Sequence, residues 1–123
     1  MINIFAVGAG GFLGAVLRYL AGMLPLSQPA GFPLTTFCIN LLGSFLIGFV
    51  SQLAADRQTA GDPATLFLKV GLCGGFTTFS TFALENFTLI NENRTGMALL
   101  YMILSFSACI AGVLAGSALA RRV

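Results

Sequence analysis

The residues best suited to ion binding are concentrated in one apolar stretch, residues 71–85. Its fifteen positions hold three glycines, four serine or threonine residues and three phenylalanines. Glycine in a helix interior costs about 1 kcal/mol relative to alanine, so the pattern predicts a helix break near residues 74–78. A break at membrane depth frees backbone groups that must be buried in protein or face a wet cavity. Broken helices of this kind form ion sites, although a kinked span packed tightly through its glycines is an alternative.

Side chains close to this stretch could supply ligands for an ion. Asn40, in the preceding apolar segment, offers two amide donors to an anion; alternatively, it holds two helices together. Phe79 and Phe82 are three residues apart and therefore project from one helical face, with Glu85 three residues further along. An aromatic pair at this spacing is commonly part of a core, but these rings lie beside the predicted break.

Polar residues in the first and last apolar segments could extend such a site. Tyr101, Ser105 and Cys109 recur every four residues, which places them on one face of a helix. Arg18 lies near the end of the first segment. Its long side chain either reaches the membrane interface as an anchor or borders an aqueous vestibule and attracts anions.

The elements that must position these residues are membrane spans. The chain of 123 residues is 57% hydrophobic and only 8% charged, whereas soluble domains carry about 25% charged residues. A spanning helix needs about 20 apolar residues, so four spans nearly fill the length. The sequence predicts an all-α integral membrane subunit, a single unit over residues 1–123, with spans at about 3–24, 33–55, 64–90 and 97–120. Glycine pairs spaced four apart in the first and last spans favour close helix packing.

Several function classes are disfavoured by composition. The chain has no histidine, the commonest metal ligand, and no nucleophile and base at a plausible spacing, so we do not expect an enzyme. A net charge of +2 is too small to indicate nucleic-acid binding. Cys38, Cys73 and Cys109 lie in three different spans without paired metal-ligand spacing, and we interpret them as structural.

The charges flanking the spans specify orientation weakly. One side of the membrane would carry Arg57, Arg121 and Arg122; the other would carry Arg94, joined by Arg18 if it reaches that interface. Either orientation is therefore open to the chain, which permits an antiparallel homodimer. Four short helices enclose little space, so we expect a pore to need two copies.

Three motifs carry a family resemblance that extends over the whole chain. They are GGFLGAVLRY at residues 10–19, TTFCINL at residues 35–41, and GGFTTFSTF at residues 74–82 followed by Glu85. Together with the chain length and the four spans, these motifs resemble the Fluc/CrcB family of fluoride channels. The run in the third span is the most specific of the three.

The resemblance implies a passive, fluoride-selective channel that exports cytoplasmic fluoride across a microbial inner membrane. It implies a dual-topology, antiparallel homodimer in the lipid bilayer, with two pores and one central structural sodium ion. The backbone carbonyls of Gly74 and Thr77 from both subunits would hold the sodium. Cys109 departs from the pattern, since serine is expected there. The implied fluoride pore residues are Asn40, Phe79, Ser80, Thr81, Phe82, Tyr101 and Ser105, with Arg18 and Glu85 as vestibule or anchor residues.

Uncharged donors suit fluoride, which is strongly hydrated and must exchange its water for protein N–H groups, hydroxyls and the positive edges of phenyl rings. The main alternative is a small multidrug transporter, which resembles this chain in length and span number. That class requires a glutamate in the first span, and residues 3–24 contain no acid. A structural assembly subunit, with its polar groups serving only as contacts between helices, is the third interpretation.

Overall fold

A computed structural model describes all residues, 1–123, and every regular element in it is helical. Four helical spans are long and apolar enough to cross a membrane. They are Ile2–Gly22, Leu34–Asp56, Pro63–Asn91 and Thr95–Ala120. The prediction of an all-α, four-span membrane protein is thereby confirmed.

Three of the spans are single helices, α1 (Ile2–Gly22), α2 (Leu34–Asp56) and α6 (Thr95–Ala120). The third span is composite: α3 (Pro63–Leu66), a π-helical segment (Phe67–Cys73), α4 (Gly74–Phe76) and α5 (Phe79–Asn91).

Helical geometry is interrupted between α4 and α5 at two residues. Thr77 has φ −76° and ψ 156°, and Thr78 has φ −149° and ψ 120°, both extended conformations. Both residues lie within the sequence-predicted interval, residues 74–78. α5 restarts with Thr78 as its N-cap, whose hydroxyl accepts a hydrogen bond from the backbone N–H of Thr81 at 3.2 Å.

α1 packs against the first half of the third span through glycines. A Cβ built on Gly10 would collide with the backbone of the π-helical segment, and one built on Gly71 would lie 2.7 Å from the Cα of Gly10. Gly14 and Gly75 make the same kind of backbone contact one turn further along. These close approaches require glycine, as expected for helices that associate in lipid through small residues.

α2 and α6 form the second tightly packed pair. Gly48 lies against the backbone of Val113, and Gly116 lies against the backbone of Phe45. The broken span thus lies between α1 on one side and the α2–α6 pair on the other. Helix α5 packs against α6 through a small core that consists of Phe82, Leu89, Ala98 and Tyr101.

Candidate functional site

A cavity of about 270 Å³ lies where the break in the third span faces α2 and α6. None of the 13 residues that line it is charged. Its polar wall consists of Asn40, Ser44, Thr77, Thr78 and Ser105. The cavity therefore offers hydrogen-bonding groups without a fixed charge.

Asn40 binds directly to the interrupted backbone. Its Oδ1 accepts the Thr78 N–H at 2.8 Å, and its Nδ2 donates to the Thr78 carbonyl at 3.1 Å. In a continuous α-helix the Thr78 N–H would donate to the carbonyl of Gly74. Asn40 thus stabilises the break, and because an amide has two N–H groups, one donor remains for another ligand.

Arg18 also contacts the break, from the opposite side. Its Nε donates to the carbonyl of Gly75 at 3.1 Å. A cation near the carbonyl end of a helix satisfies a free acceptor and complements the helix dipole. This contact was not predicted from the sequence, in which only the interface and vestibule positions were considered for Arg18.

The two phenylalanines of the third span both line the cavity, but their environments differ. Their ring centroids are 5.6 Å apart with an interplanar angle of 40°. Phe82 is buried, with 7% of its surface exposed, and its ring lies 5.0 Å from that of Tyr101. Phe79 is 70% exposed in the single chain. One ring is therefore fixed by the core and the other faces outward.

The hydroxyl residues predicted in this region separate into two groups. Ser105 lines the cavity, and its buried Oγ has no hydrogen-bond partner. Ser80 and Thr81 lie beside the cavity rather than in its wall: the Thr78 hydroxyl donates to Thr81 Oγ1 at 3.1 Å and is 3.3 Å from Ser80 Oγ. Tyr101 is fully buried and also lies outside the wall.

Glu85 lies further along the third span, in a cluster of its own. Its Oε1 accepts a hydrogen bond from Thr36 Oγ1 at 2.6 Å, and its Oε2 accepts one from the Tyr101 hydroxyl at 2.7 Å. The carboxylate thereby connects α2, α5 and α6. The partner Thr36 was not identified from the sequence, because it lies 49 residues from Glu85 along the chain.

Cys73 and Cys109 also line the cavity. The sequence placed Cys109 on the same helical face as Tyr101 and Ser105, whereas it gave no indication of Cys73. No group of three or more histidine, cysteine, aspartate or glutamate side chains could hold a metal ion. The residues proposed for sodium, Gly74 and Thr77, would use backbone carbonyls instead. Gly74 is the first residue of the short helix α4, and Thr77 is its C-cap, within the break.

Comparison with known proteins matches the sequence of this chain to one family. The model of the family described as CrcB-like protein, Camphor Resistance (CrcB), matches residues 5–117. The chain is 42% identical to a protein of Ruminiclostridium cellulolyticum over 100% of its own length and 95% of the relative. A protein of Chlorobaculum tepidum is 45% identical over 98% and 96%, and one of Agrobacterium fabrum is 43% identical over 100% and 99%.

All three of these relatives carry the name fluoride-specific ion channel FluC. The matched residues, 5–117, include parts of all four spans and every residue that lines the cavity. The four-span chain with an uncharged cavity at its interrupted helix belongs to the CrcB-like (FluC) family.

Proposed function

We propose that this protein is a passive fluoride channel of the cell membrane. The names of the relatives support fluoride as the transported ion, and their full-length similarity supports transport rather than catalysis. The observation that carries the proposal is the cavity wall itself, which combines an amide and hydroxyls with phenyl rings and has no charged residue.

Neutral donors suit conduction because an ion must bind strongly enough to lose water and weakly enough to leave. The remaining N–H of Asn40 and the unpartnered hydroxyl of Ser105 can both donate to fluoride. The edges of Phe79 and Phe82 carry the positive part of the ring quadrupole and can contact the dehydrated anion. Fluoride would pass between Asn40 and Ser105 along the rings, and its gradient across the membrane would set the direction, outward when fluoride accumulates in the cytoplasm.

The active form would be an antiparallel homodimer with two pores. The outward-facing ring of Phe79 is 70% exposed in one chain, and it would become buried by packing against the second copy. Few arginines flank the spans, with Arg57, Arg121 and Arg122 at one side and Arg94 at the other while Arg18 binds the Gly75 carbonyl, so the charge bias that opposes dual topology is small.

A structural sodium ion would lie at the centre of this dimer, held by the carbonyls of Gly74 and Thr77 from both copies. The donor chemistry fits: Thr78, the usual α-helical partner of the Gly74 carbonyl, donates its N–H to Asn40. Carbonyls at the ends of interrupted membrane helices commonly coordinate sodium. Replacing sodium by a larger monovalent cation during purification should weaken the dimer, as measured by gel filtration and light scattering.

Fluoride efflux from liposomes containing the purified protein tests the proposal directly. A fluoride electrode should record rapid release, with no matching release in a chloride-loaded sample. Inactivity toward both anions from a folded dimer would refute the channel proposal and favour an assembly subunit. Equal release of fluoride and chloride would support a channel but refute its selectivity for fluoride.

A further inference from the structure

Arg18 reaches the break in the third span along a glycine face of α1. Gly10, Gly14 and Arg18 follow one another at four-residue intervals, which places them on one face of the helix. A Cβ built on Gly14 would lie 2.8 Å from the backbone nitrogen of Phe76, so the two backbones are in contact there. Because α1 touches α4 at Gly14, the side chain one turn further along α1 is brought to the end of α4.

The partner of the Arg18 side chain is a backbone carbonyl rather than a carboxylate. Its Nε donates to the Gly75 carbonyl at 3.1 Å, and this is the one hydrogen bond that the side chain makes. In a continuous α-helix the same carbonyl would accept the N–H of Phe79. Phe79 instead begins α5, so its N–H has no acceptor within that helix. Arg18 therefore occupies the acceptor that a continuous helix would use.

Asn40 replaces the neighbouring helical hydrogen bond from the other side of the span. It accepts the Thr78 N–H, which in a continuous helix would donate to the Gly74 carbonyl. Two successive helical hydrogen bonds are thus each replaced by a side chain from another span: α1 supplies a donor for a carbonyl, and α2 supplies an acceptor for an N–H. Unpaired backbone groups at membrane depth are costly, so the break requires such replacements.

We propose that Arg18 is a positioning residue that keeps the third span open at Thr77 and Thr78, and that it acts through its hydrogen bond rather than its charge. Without this donor, the Gly75 carbonyl would return to its ordinary helical partner, the Phe79 N–H. That bond requires helical geometry at Thr77 and Thr78, both of which are extended in the structure. The third span would therefore shift toward a continuous helix.

The effect of such a shift on transport rests on the proposed fluoride channel and its sodium ion. In a continuous helix the Gly74 carbonyl accepts the Thr78 N–H, and the Thr77 carbonyl accepts the N–H four positions further on. Both carbonyls proposed for sodium would then be taken. Asn40 would lose the N–H that fixes its side chain beside the cavity.

Two other roles of Arg18 predict different behaviour. An arginine that attracts anions in a vestibule acts through its charge, so every neutral replacement would lower flux, and most strongly at low ionic strength. An arginine that only anchors α1 at the membrane interface has no influence on the break. Variants that separate the donor from the charge therefore distinguish the three roles.

Glutamine makes this separation, because its amide nitrogen is joined to Cα by the same number of bonds as the arginine Nε. Arg18→Gln should keep fluoride efflux from liposomes within about threefold of the wild type at low and high ionic strength, since a neutral donor still binds the carbonyl. Arg18→Met has similar length but no donor, and it should lower efflux by about tenfold or more. Arg122→Met, at an exposed position near the end of the chain, is the matched control. Equal losses in Arg18→Gln and Arg18→Met would refute the positioning role and assign Arg18 to anion attraction.

The backbone conformation at the break provides a readout that does not depend on transport. Carbon-13 chemical shifts of threonine distinguish extended from helical backbone, and solid-state NMR records them in lipid. The Thr77 and Thr78 signals of threonine-labelled protein are assigned by their loss in Thr77→Ser and Thr78→Ser. They should keep extended values in Arg18→Gln and Arg122→Met and shift toward helical values in Arg18→Met.

The same spectra separate this proposal from the channel proposal. Extended values in Arg18→Met would refute the role of Arg18, as would helical values in Arg18→Gln. Arg18→Ala is a second replacement without a donor, in case methionine alters folding. Shifted signals in a variant of a protein that never conducts would support the role of Arg18 and refute the channel. Unshifted signals in a variant of a conducting protein would refute the role of Arg18 and leave the channel intact.

Discussion

Two polar clusters connect α2 to α5, and they differ in charge and in unused hydrogen-bonding capacity. The Asn40 cluster consists of Asn40 and Thr78, is uncharged, and retains a free amide N–H. The Glu85 cluster consists of Thr36, Glu85 and Tyr101; a hydroxyl binds each carboxylate oxygen. We infer that the first cluster is built to receive an anion and the second to hold three helices together.

The difference between the two clusters shows that the charged residue Glu85 does not indicate where an anion would bind in this chain. Hydrogen bonds to a charged group contribute about 1.5–3 kcal/mol each, so the Glu85 cluster favours a fixed structure. A carboxylate would repel fluoride, whereas a neutral amide with a spare donor attracts it without holding it tightly. The following predictions test this division, beginning with the largest expected effect.

Asn40→Asp should abolish fluoride flux. A carboxylate about 4 Å from fluoride would cost about 4 kcal/mol at an effective dielectric constant of about 20, close to a thousandfold in rate. The variant also loses the donor to the Thr78 carbonyl. Gln52→Glu is the matched control, since it makes the same amide-to-carboxylate change on α2 outside this cavity, and it should conduct normally in the liposome assay. Normal flux through Asn40→Asp would remove Asn40 from the pore wall.

Phe79→Ile and Phe82→Ile should each lower flux by up to about tenfold. Isoleucine keeps much of the apolar volume but lacks the positive ring edge, an interaction of about 0.5–1.5 kcal/mol for aromatic groups. Phe87→Ile, at a 61% exposed position of the same helix, is the control and should leave flux unchanged. Gel filtration should show intact dimers in all three variants. If both cavity variants conduct like the control, the rings serve only packing.

Sequence reasoning identified the spans because hydropathy over about 20 residues is a local property. It also identified the interval of the break, since glycine and threonine disfavour helix locally. It did not identify the π-helical segment Phe67–Cys73, which packs closely on α1 where Gly71 contacts Gly10. Such a contact involves residues about 60 positions apart, which no local pattern encodes.

The same distinction between local sequence properties and long-range contacts applies to the candidate site. Asn40 and Ser105 were predicted as fluoride-pore residues from residue type and family resemblance; both line one cavity in the structure, and their contact with fluoride stays a prediction. The partners that fix the polar groups were not identified: Arg18 on the Gly75 carbonyl, and Thr36 on Glu85. Each depends on how two separate helices pack, and several acceptors would have been equally plausible in advance.

Thr36→Val should lower stability more than flux. Valine has nearly the shape of threonine but cannot donate to Glu85, so the free energy of unfolding should fall by about 1.5–3 kcal/mol. Thermal unfolding in detergent measures this change. Thr88→Val, which removes a hydroxyl bonded only to the Leu84 carbonyl of its own helix, is the control and should cost less. A Thr36→Val variant that lost conduction at full stability would assign the Glu85 cluster to the pore.

Ser105→Ala should produce the smallest effect and separate the two kinds of cluster most clearly. The Ser105 Oγ is buried without a partner, so its removal should leave thermal stability unchanged or raise it. Fluoride loses one donor worth about 0.5–1.5 kcal/mol, so flux should fall about two- to tenfold. Ser107→Ala, at an exposed position of the same helix, should change neither quantity. A stability loss in Ser105→Ala at unchanged flux would make Ser105 a structural hydroxyl and remove it from the proposed fluoride donors, because removal of a hydroxyl that serves the anion should lower the rate of flux rather than the free energy of unfolding.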